Sequence, residues 1–291
     1  MRHCHLLPNW NPQFALASPM YAPLRHLAEN FCGFEQWPNL HDYQQFLNAW
    51  PNTIKTLAGK PLKIVAQDGK PGCFEEHYAP RIFNTGELQT RTENWHDFFQ
   101  YLTWFMFPQT KAEINAIHLP FAQQRIEVTQ QHGSRSPVEN MLSLFDEGGA
   151  VIVSSDVSLL ELIREFKWKE LFWQRRDELN QKLACITFGH AMYEKGQAPY
   201  LGMTANCILI EAGPDFFRQE NSQQLQWLDQ KLAAVFKAGD VLNKPKDLQP
   251  FPILGMPGWD SDNGVEAYYD NVDYFRAGRK GNHQAVLIEC Q

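Results

Sequence analysis

The sequence predicts an α+β protein, predominantly helical, folded as a single compact domain over residues 1–291 with a few short strands. Three observations lead there. Apolar residues recur at i, i+3, i+4 and i+7 through the middle of the chain, in several places behind capping signals. Runs that suit strands are few and short. No internal repeat or low-complexity linker divides the chain, and 44% hydrophobic with 13% aromatic residues is ample for one sizeable core.

Residues 1–40 carry Pro8, Pro12, Pro19, Pro23 and Pro38 among aromatics, which predicts an N-terminal arm laid over the core rather than regular structure. "HDYQQFLNAW" opens the helical text. "PLKIVAQ" (61–67) and "RIFNTGELQTR" (81–91) read as short strands or a hairpin, the second turning at Asn84–Gly86. The next helix has two possible starts, a Thr90/Glu93 capping box or Asn94 with Asp97, and a stripe of Trp95, Phe98, Phe99 and Leu102. Pro108 should end it, and "TKAEINAIH" should start a shorter helix with Lys111, Asn115 and His118 along one face.

The clearest element is "SRSPVENMLSLFDEGG". Ser136 is its N-cap, Pro137 its first residue and Glu139 its capping-box partner; Gly148 and Gly149 stop it. "AVIVS" then reads as a buried strand, and "DVSLLELIREF", "KWKELFWQRRDELNQKL" and "ACITFGHAMYEKG" all read as helices. "ANCILIEA" reads as a strand and "SQQLQWLDQKLAAVFKAG" as an amphipathic helix. Residues 244–291, rich in Pro, Gly and aromatics, should form an irregular C-terminal wrap closing on "QAVLIEC" as a strand.

Composition narrows the partners. A net charge of −7 gives no overall attraction to nucleic acid or to an anionic membrane surface, so a small-molecule ligand is expected and nucleic acid is not. No window approaches the ~18 apolar residues of a membrane span, and the opening residues lack a secretory pattern, which places the expected compartment in the cytoplasm. The six cysteines never form C-x-x-C, so neither a disulfide framework nor a thiolate zinc site is signalled; "HCH" at 3–5 reads as incidental. The sequence says nothing about oligomeric state.

Chemistry is best sought where a residue works against its local setting. Asp146 and Glu147 end a helix whose dipole favours cations there; a Lys or Arg partner, a bound cation or a protonation role would offset the cost. His190 continues the stripe Leu179, Leu183, Ile186 toward the core, with Glu194 one turn on, and Gly189 beside it would let another backbone or a ligand come close. A buried histidine satisfied by Glu194 and a two-ligand metal element are both open readings. In "RTENWHDFF", Asn94 and Asp97 fit plain capping, whereas His96 should be neutral at a helix N-terminus, the form that binds metals or acts as a base.

The stretches "TRTENWHDFFQYLTWFMFPQTKAEINAIH", "LSLFDEGG", "FKWKELFW", "FGHAMYEK" and "LGMPGWDSDN...YYDNVDYFR", in this order, resemble the bacterial family called domain of unknown function 3025 from about Tyr78 to Arg276. The resemblance implies no particular activity. It places His96, Asp97, Asn115, His118, Asp146, Glu147, His190 and Glu194 within the family's motif stretches.

These residues lead to an enzyme of hydrolytic or related type. Its catalytic candidates are His96, Asp97 and Glu147, and its metal-ligand candidates His118, Asp146, His190 and Glu194. Nitrogen and oxygen donors without thiolate suit a divalent ion such as Zn, Fe or Mn. Metal-free catalysis by a His and carboxylate pair is a close variant. Two alternatives stand beside it. A ββα-metal nuclease would use His77, a following hairpin, Asn94 and His118. A non-catalytic binding module would shape a groove from Trp259, Tyr268, Tyr269, Tyr274 and Phe275 near Arg276. Motifs of serine hydrolases, P-loops and Rossmann folds are absent, and Cys185 shares no helix face with His190.

Overall fold

A computed structural model describes residues 9–67, 69, 71–129, 135–278 and 284–289. Its helices are α1 (Arg25–Ala28), α2 (Leu40–Ala49), α3 (Tyr78–Thr85), α4 (Trp95–Met106), α5 (Pro108–Thr129), α6 (Pro137–Gly148), α7 (Val157–Arg164), α8 (Arg176–Lys182), α9 (His190–Lys195) and α10 (Asn221–Ala238). Its strands are β1 (Lys63–Ala66), β2 (Glu87–Thr90), β3 (Gly149–Ser154), β4 (Leu183–Thr187), β5 (Thr204–Glu211), β6 (Gln249–Pro252) and β7 (Leu287–Ile288). The architecture is α+β and predominantly helical, as the periodicity predicts. The terminal "HCH" and Cys290 lie outside the described residues.

A five-stranded sheet forms the centre, ordered β4-β3-β5-β6 with β7 also on β5. β3 pairs antiparallel with β4 (Ile152 opposite Cys185) and parallel with β5 (Ile152 opposite Leu209). Every residue of β3 is buried, which explains why "AVIVS" lacks alternation: both faces of the strand are covered. A separate parallel pair, β1 with β2, lies beside α2 and α3.

The long helices pack around this sheet, and one apolar cluster runs from Phe14 to Ile288. The N-terminal arm supplies an aromatic layer behind α4. Trp10 stacks on Trp95 at 5.2 Å between ring centroids, and Phe14 meets Trp95, Phe98 and Phe99. Tyr21 donates a 2.7 Å hydrogen bond to the Tyr193 carbonyl, so the arm also fastens α9. The C-terminal aromatics are core rather than groove: Tyr269, Tyr274 and Phe275 are buried, and Tyr269 and Phe275 pack against Phe172. The Tyr274 hydroxyl donates to the Met203 carbonyl at 2.7 Å.

Three elements differ from the sequence reading. "RIFNTG" belongs to α3, which stops at Gly86 in a left-handed conformation (φ 75°); a Cβ there would fall 2.0 Å from the Pro61 carbonyl oxygen. The helix expected across "ACITFGHAMYEKG" is instead β4, a short link and α9, so Leu179, Leu183, Ile186 and His190 share no helical stripe. "KWKELFWQRRDELNQKL" is helical as read but in two pieces, a π-helical segment at Glu170–Gln174 followed by α8.

Pro108 does end α4, but it also opens α5, which is longer than "TKAEINAIH" suggests. The start of α5 is held from far away in the chain. The buried Asp229 on α10 accepts the Gln109 and Thr110 amides at 3.0 and 2.8 Å, and the Thr110 hydroxyl donates to the Asp229 carbonyl at 3.0 Å. It acts as an N-cap supplied by another helix. Asp229→Ala is expected to cost about 2 kcal/mol in urea unfolding, and Asp229→Asn about half of that because one acceptor oxygen survives. Equal losses in the two variants would assign the effect to packing instead.

Candidate functional site

α4 starts after its N-cap Asn94, whose side chain accepts the Asp97 amide at 3.0 Å; of the two possible caps, the second is used. Asp97 is then clamped by Arg91, with Nε to Oδ2 at 2.9 Å, Nη2 to Oδ1 at 2.8 Å and the Arg91 amide to Oδ2 at 2.7 Å. These contacts fix the helix entry and leave His96 and Gln100 one turn apart on the same face.

A cavity of about 540 Å³ opens where α4, α5, α6 and the starts of α3 and α9 meet. α4 contributes His96, Gln100 and Trp104; α5 contributes Lys111, Asn115 and His118; α6 contributes Asp146 and Glu147; α9 contributes His190. Six expected residues, Asn115 and five of the seven catalytic or metal candidates, therefore share one wall although they are scattered along the chain. Asp97 faces a neighbouring cavity, and Glu194 reaches the site only through His96.

His190 is 3% exposed. Its position depends on Gly189: a Cβ there would lie 2.4 Å from the Glu147 carbonyl oxygen and 2.5 Å from the Gly149 nitrogen. The Phe188 and Gly189 amides donate to the Gly149 carbonyl at 3.0 and 2.9 Å. Thus the glycine admits the backbone end of α6, and α9 starts directly beside Asp146. As Gly189 is the N-cap of α9, the cost of glycine in a helix interior does not arise.

The imidazoles of His96 and His190 meet edge to face, ring centroids 4.5 Å apart, with their Nε2 atoms at 3.1 Å. His96 Nδ1 contacts Glu194 Oε2 at 2.9 Å. Their surroundings push the two rings in opposite directions. The hydrogen bond to Glu194 raises His96 above its ordinary 6.5, against partial burial and the nearby Arg91 cation, so the shift runs opposite to that expected at a helix N-terminus. Burial lowers His190 to about 4, with Lys111 and His96 adding to the effect and the Asp146 carboxylate opposing it. The same contact with His96 lowers Glu194.

The strained carboxylate at the end of α6 has an internal cation. Lys111 Nζ lies 2.6 Å from Asp146 Oδ1, is 3% exposed and sits 5.6 Å from the centroid of the Trp104 ring. Burial acts against the Asp146 carboxylate, but Lys111, His190 and His118 outweigh it and hold Asp146 below its usual range. Glu147, beside it, is exposed at the cavity wall.

The expected metal ligands are engaged with partners of their own in this arrangement. Lys111 occupies the cation position next to Asp146, the two Nε2 atoms are turned on each other, and Glu194 serves His96 rather than His190. Among the described residues, no group of three or more His, Cys, Asp or Glu side chains is arranged to hold a metal ion. The nuclease order also fails: α3 rather than a hairpin follows His77, and Asn94 caps α4 instead of lining the cavity. Cys185 lies in β4, where burial raises its thiol, and it does not line the cavity.

Sequence reasoning missed Tyr78, Trp104 and Arg135. Tyr78 is 40% exposed at the cavity, yet its hydroxyl end is turned inward toward Trp104, where burial and the Asp146 carboxylate raise the phenol well above 10. Arg135 Nη1 donates to Ser143 Oγ at 3.1 Å. Lys111 and Asn115 were placed on the right helix face but without a role.

Fold and site together define an α+β protein in which a paired-histidine centre and a buried Lys–Asp pair share the wall of one polar cavity. The chain belongs to the family described as protein of unknown function (DUF3025), whose model matches residues 62–279. That span contains every residue lining the cavity and leaves out the N-terminal arm. Searches of the curated proteins and of the solved structures find no match.

Proposed function

We propose that the protein is an enzyme performing metal-free general acid/base chemistry on a small molecule, most simply hydrolysis at a carbonyl-type bond. The observation that supports this reading is the 3.1 Å contact between two imidazoles with oppositely shifted proton affinities on a cavity wall. Two titratable groups driven apart by their environments are the usual basis for dividing acid and base roles.

The chain's own groups suit such a division. Glu194 accepts from His96 Nδ1–H and favours the protonated ring; His96 Nε2–H then donates to the neutral His190 Nε2. Delivery of the shared proton leaves both Nε2 atoms unprotonated, with one proton kept on Nδ1 of each ring. The contact can thereby give a proton to a leaving group and take one back from an attacking water. Glu194, half exposed, connects this pair to bulk solvent. Lys111 and Arg135 supply positive charge for an oxyanion that develops in the cavity, where partial exclusion of water strengthens their effect. A volume of about 540 Å³ suits a metabolite-sized ligand.

The test is turnover of a panel of carboxylic esters, lactones and amides by wild type, His96→Asn and His190→Asn, with circular dichroism confirming the fold. Loss of on the order of 10²-fold or more in each variant is expected for a residue in general acid/base catalysis. No turnover across the panel, together with thermal shifts by the same compounds, would show a binding module instead.

A further inference from the structure

A second cavity, about 350 Å³, adjoins the first and shares His77, Tyr78, His96 and Gln100 with it as lining. His96 therefore stands with His77, Tyr78 and Gln100 in the boundary between two chambers. The inner chamber adds aromatic walls from Phe74, Tyr78 and Trp104 to its charged groups, whereas the outer one is bounded almost wholly by polar groups, among them Arg81, Arg91, Glu76 and Asp97.

The charges of the outer chamber are not equally engaged. Asp97 accepts three hydrogen bonds from Arg91, and Glu76 Oε2 accepts the Gly72 amide at 2.6 Å. The arginines retain donors. Arg91 uses Nε and Nη2 on Asp97, which locks the guanidinium plane, while its side chain stays 51% exposed. Among the described residues, the Arg81 guanidinium has a loose 3.5 Å pairing with Glu87, a carboxylate that Lys63 already holds at 3.0 Å. A planar, preoriented guanidinium with spare N–H groups is the usual receptor for carboxylate or phosphate.

We propose that the outer chamber is a subsite for an anionic group of the substrate, a carboxylate or phosphate held by Arg81 and Arg91, while an apolar or aromatic part occupies the inner chamber and the reacting bond lies at His96. This deepens the reading of the inner cavity as an acid/base site and rests on it for the position of the reacting bond. Arg91 is near enough to His96 and Glu194 to oppose the proton on the ring, so an anion placed on the arginine offsets that opposition as the substrate binds.

The probes are phenylacetate and phenyl phosphate, with phenylacetamide as the neutral counterpart, titrated calorimetrically into wild type, Arg81→Gln, Arg91→Lys and His96→Asn. At least one anion should bind wild type tenfold or more tightly than the amide, with affinity falling as salt rises. Whichever anion wins identifies the source of the charge. Arg81→Gln should weaken that anion about tenfold and leave the amide unchanged; Arg91→Lys, which keeps the charge but loses the fork, should weaken it less. Equal binding of anions and amide to wild type, or an anion affinity indifferent to Arg81→Gln, would overturn the subsite. His96→Asn separates the two readings: anion preference that survives in it, while wild type turns over none of the esters, lactones and amides, sustains the subsite and removes the catalytic role, whereas wild-type turnover that falls in His96→Asn, without anion preference in either protein, does the reverse.

Discussion

Lys111→Met is expected to destabilise the protein by about 3–5 kcal/mol, the range for removing one partner of a buried ion pair. Lys111 is 3% exposed and only 15% of the Asp146 side-chain surface is accessible, so the carboxylate left behind cannot recover its hydration. The pair also lies where the α6 dipole is negative, and an uncompensated Asp146 is repelled by the helix that carries it. The double variant Lys111→Met, Asp146→Asn should regain most of the loss, because it removes the stranded charge and leaves only altered packing over Trp104. Denaturant unfolding of the four proteins in the cycle checks this. A double variant no more stable than Lys111→Met alone would mean that lysine packing, and not charge, is what the fold requires.

The same pair shows how far the sequence could be read. The mismatch of Asp146 with the helix dipole is local and visible, and so is the helix face carrying Lys111, Asn115 and His118. That one strain is relieved by the other is a tertiary fact that no spacing contains. The capping box at Ser136 and Glu139 was legible because all its parts lie within one turn. By contrast, the α5 cap was not, since Asp229 lies 119 residues beyond Thr110. "LACIT" is a short, largely apolar run that fits a strand or a helix equally well by periodicity; its partners on β3 decide for the strand. The helix end alone points to a neutral ring for His96. Glu194, 98 positions away, reverses the direction.

Acid should destabilise this protein through His190 earlier than its carboxylates alone would require. In the unfolded chain the ring takes a proton near 6.5, but in the folded protein only near 4. Stability due to this group is complete above about pH 6.5 and declines as the pH falls, because the unfolded state binds the proton first. Integrated down to pH 4, the loss is about 3 kcal/mol. The groups around it titrate with other signs or in other windows. His96, raised by Glu194, contributes stability that is full below 6.5 and lost only as the pH climbs through its folded value. Glu194 and Asp146, both lowered, lose their contributions only as the pH falls below their ordinary values of 4.5 and 3.8. Between pH 6.5 and 4.5 the slope from this cluster therefore belongs mainly to His190. His190→Asn, with no titrating ring, should be less stable than wild type at pH 7 from lost packing, yet close that gap by about 3 kcal/mol on going to pH 4. Urea unfolding of both proteins at half-unit pH steps gives the comparison, and parallel profiles would show that the ring is not held neutral by its burial.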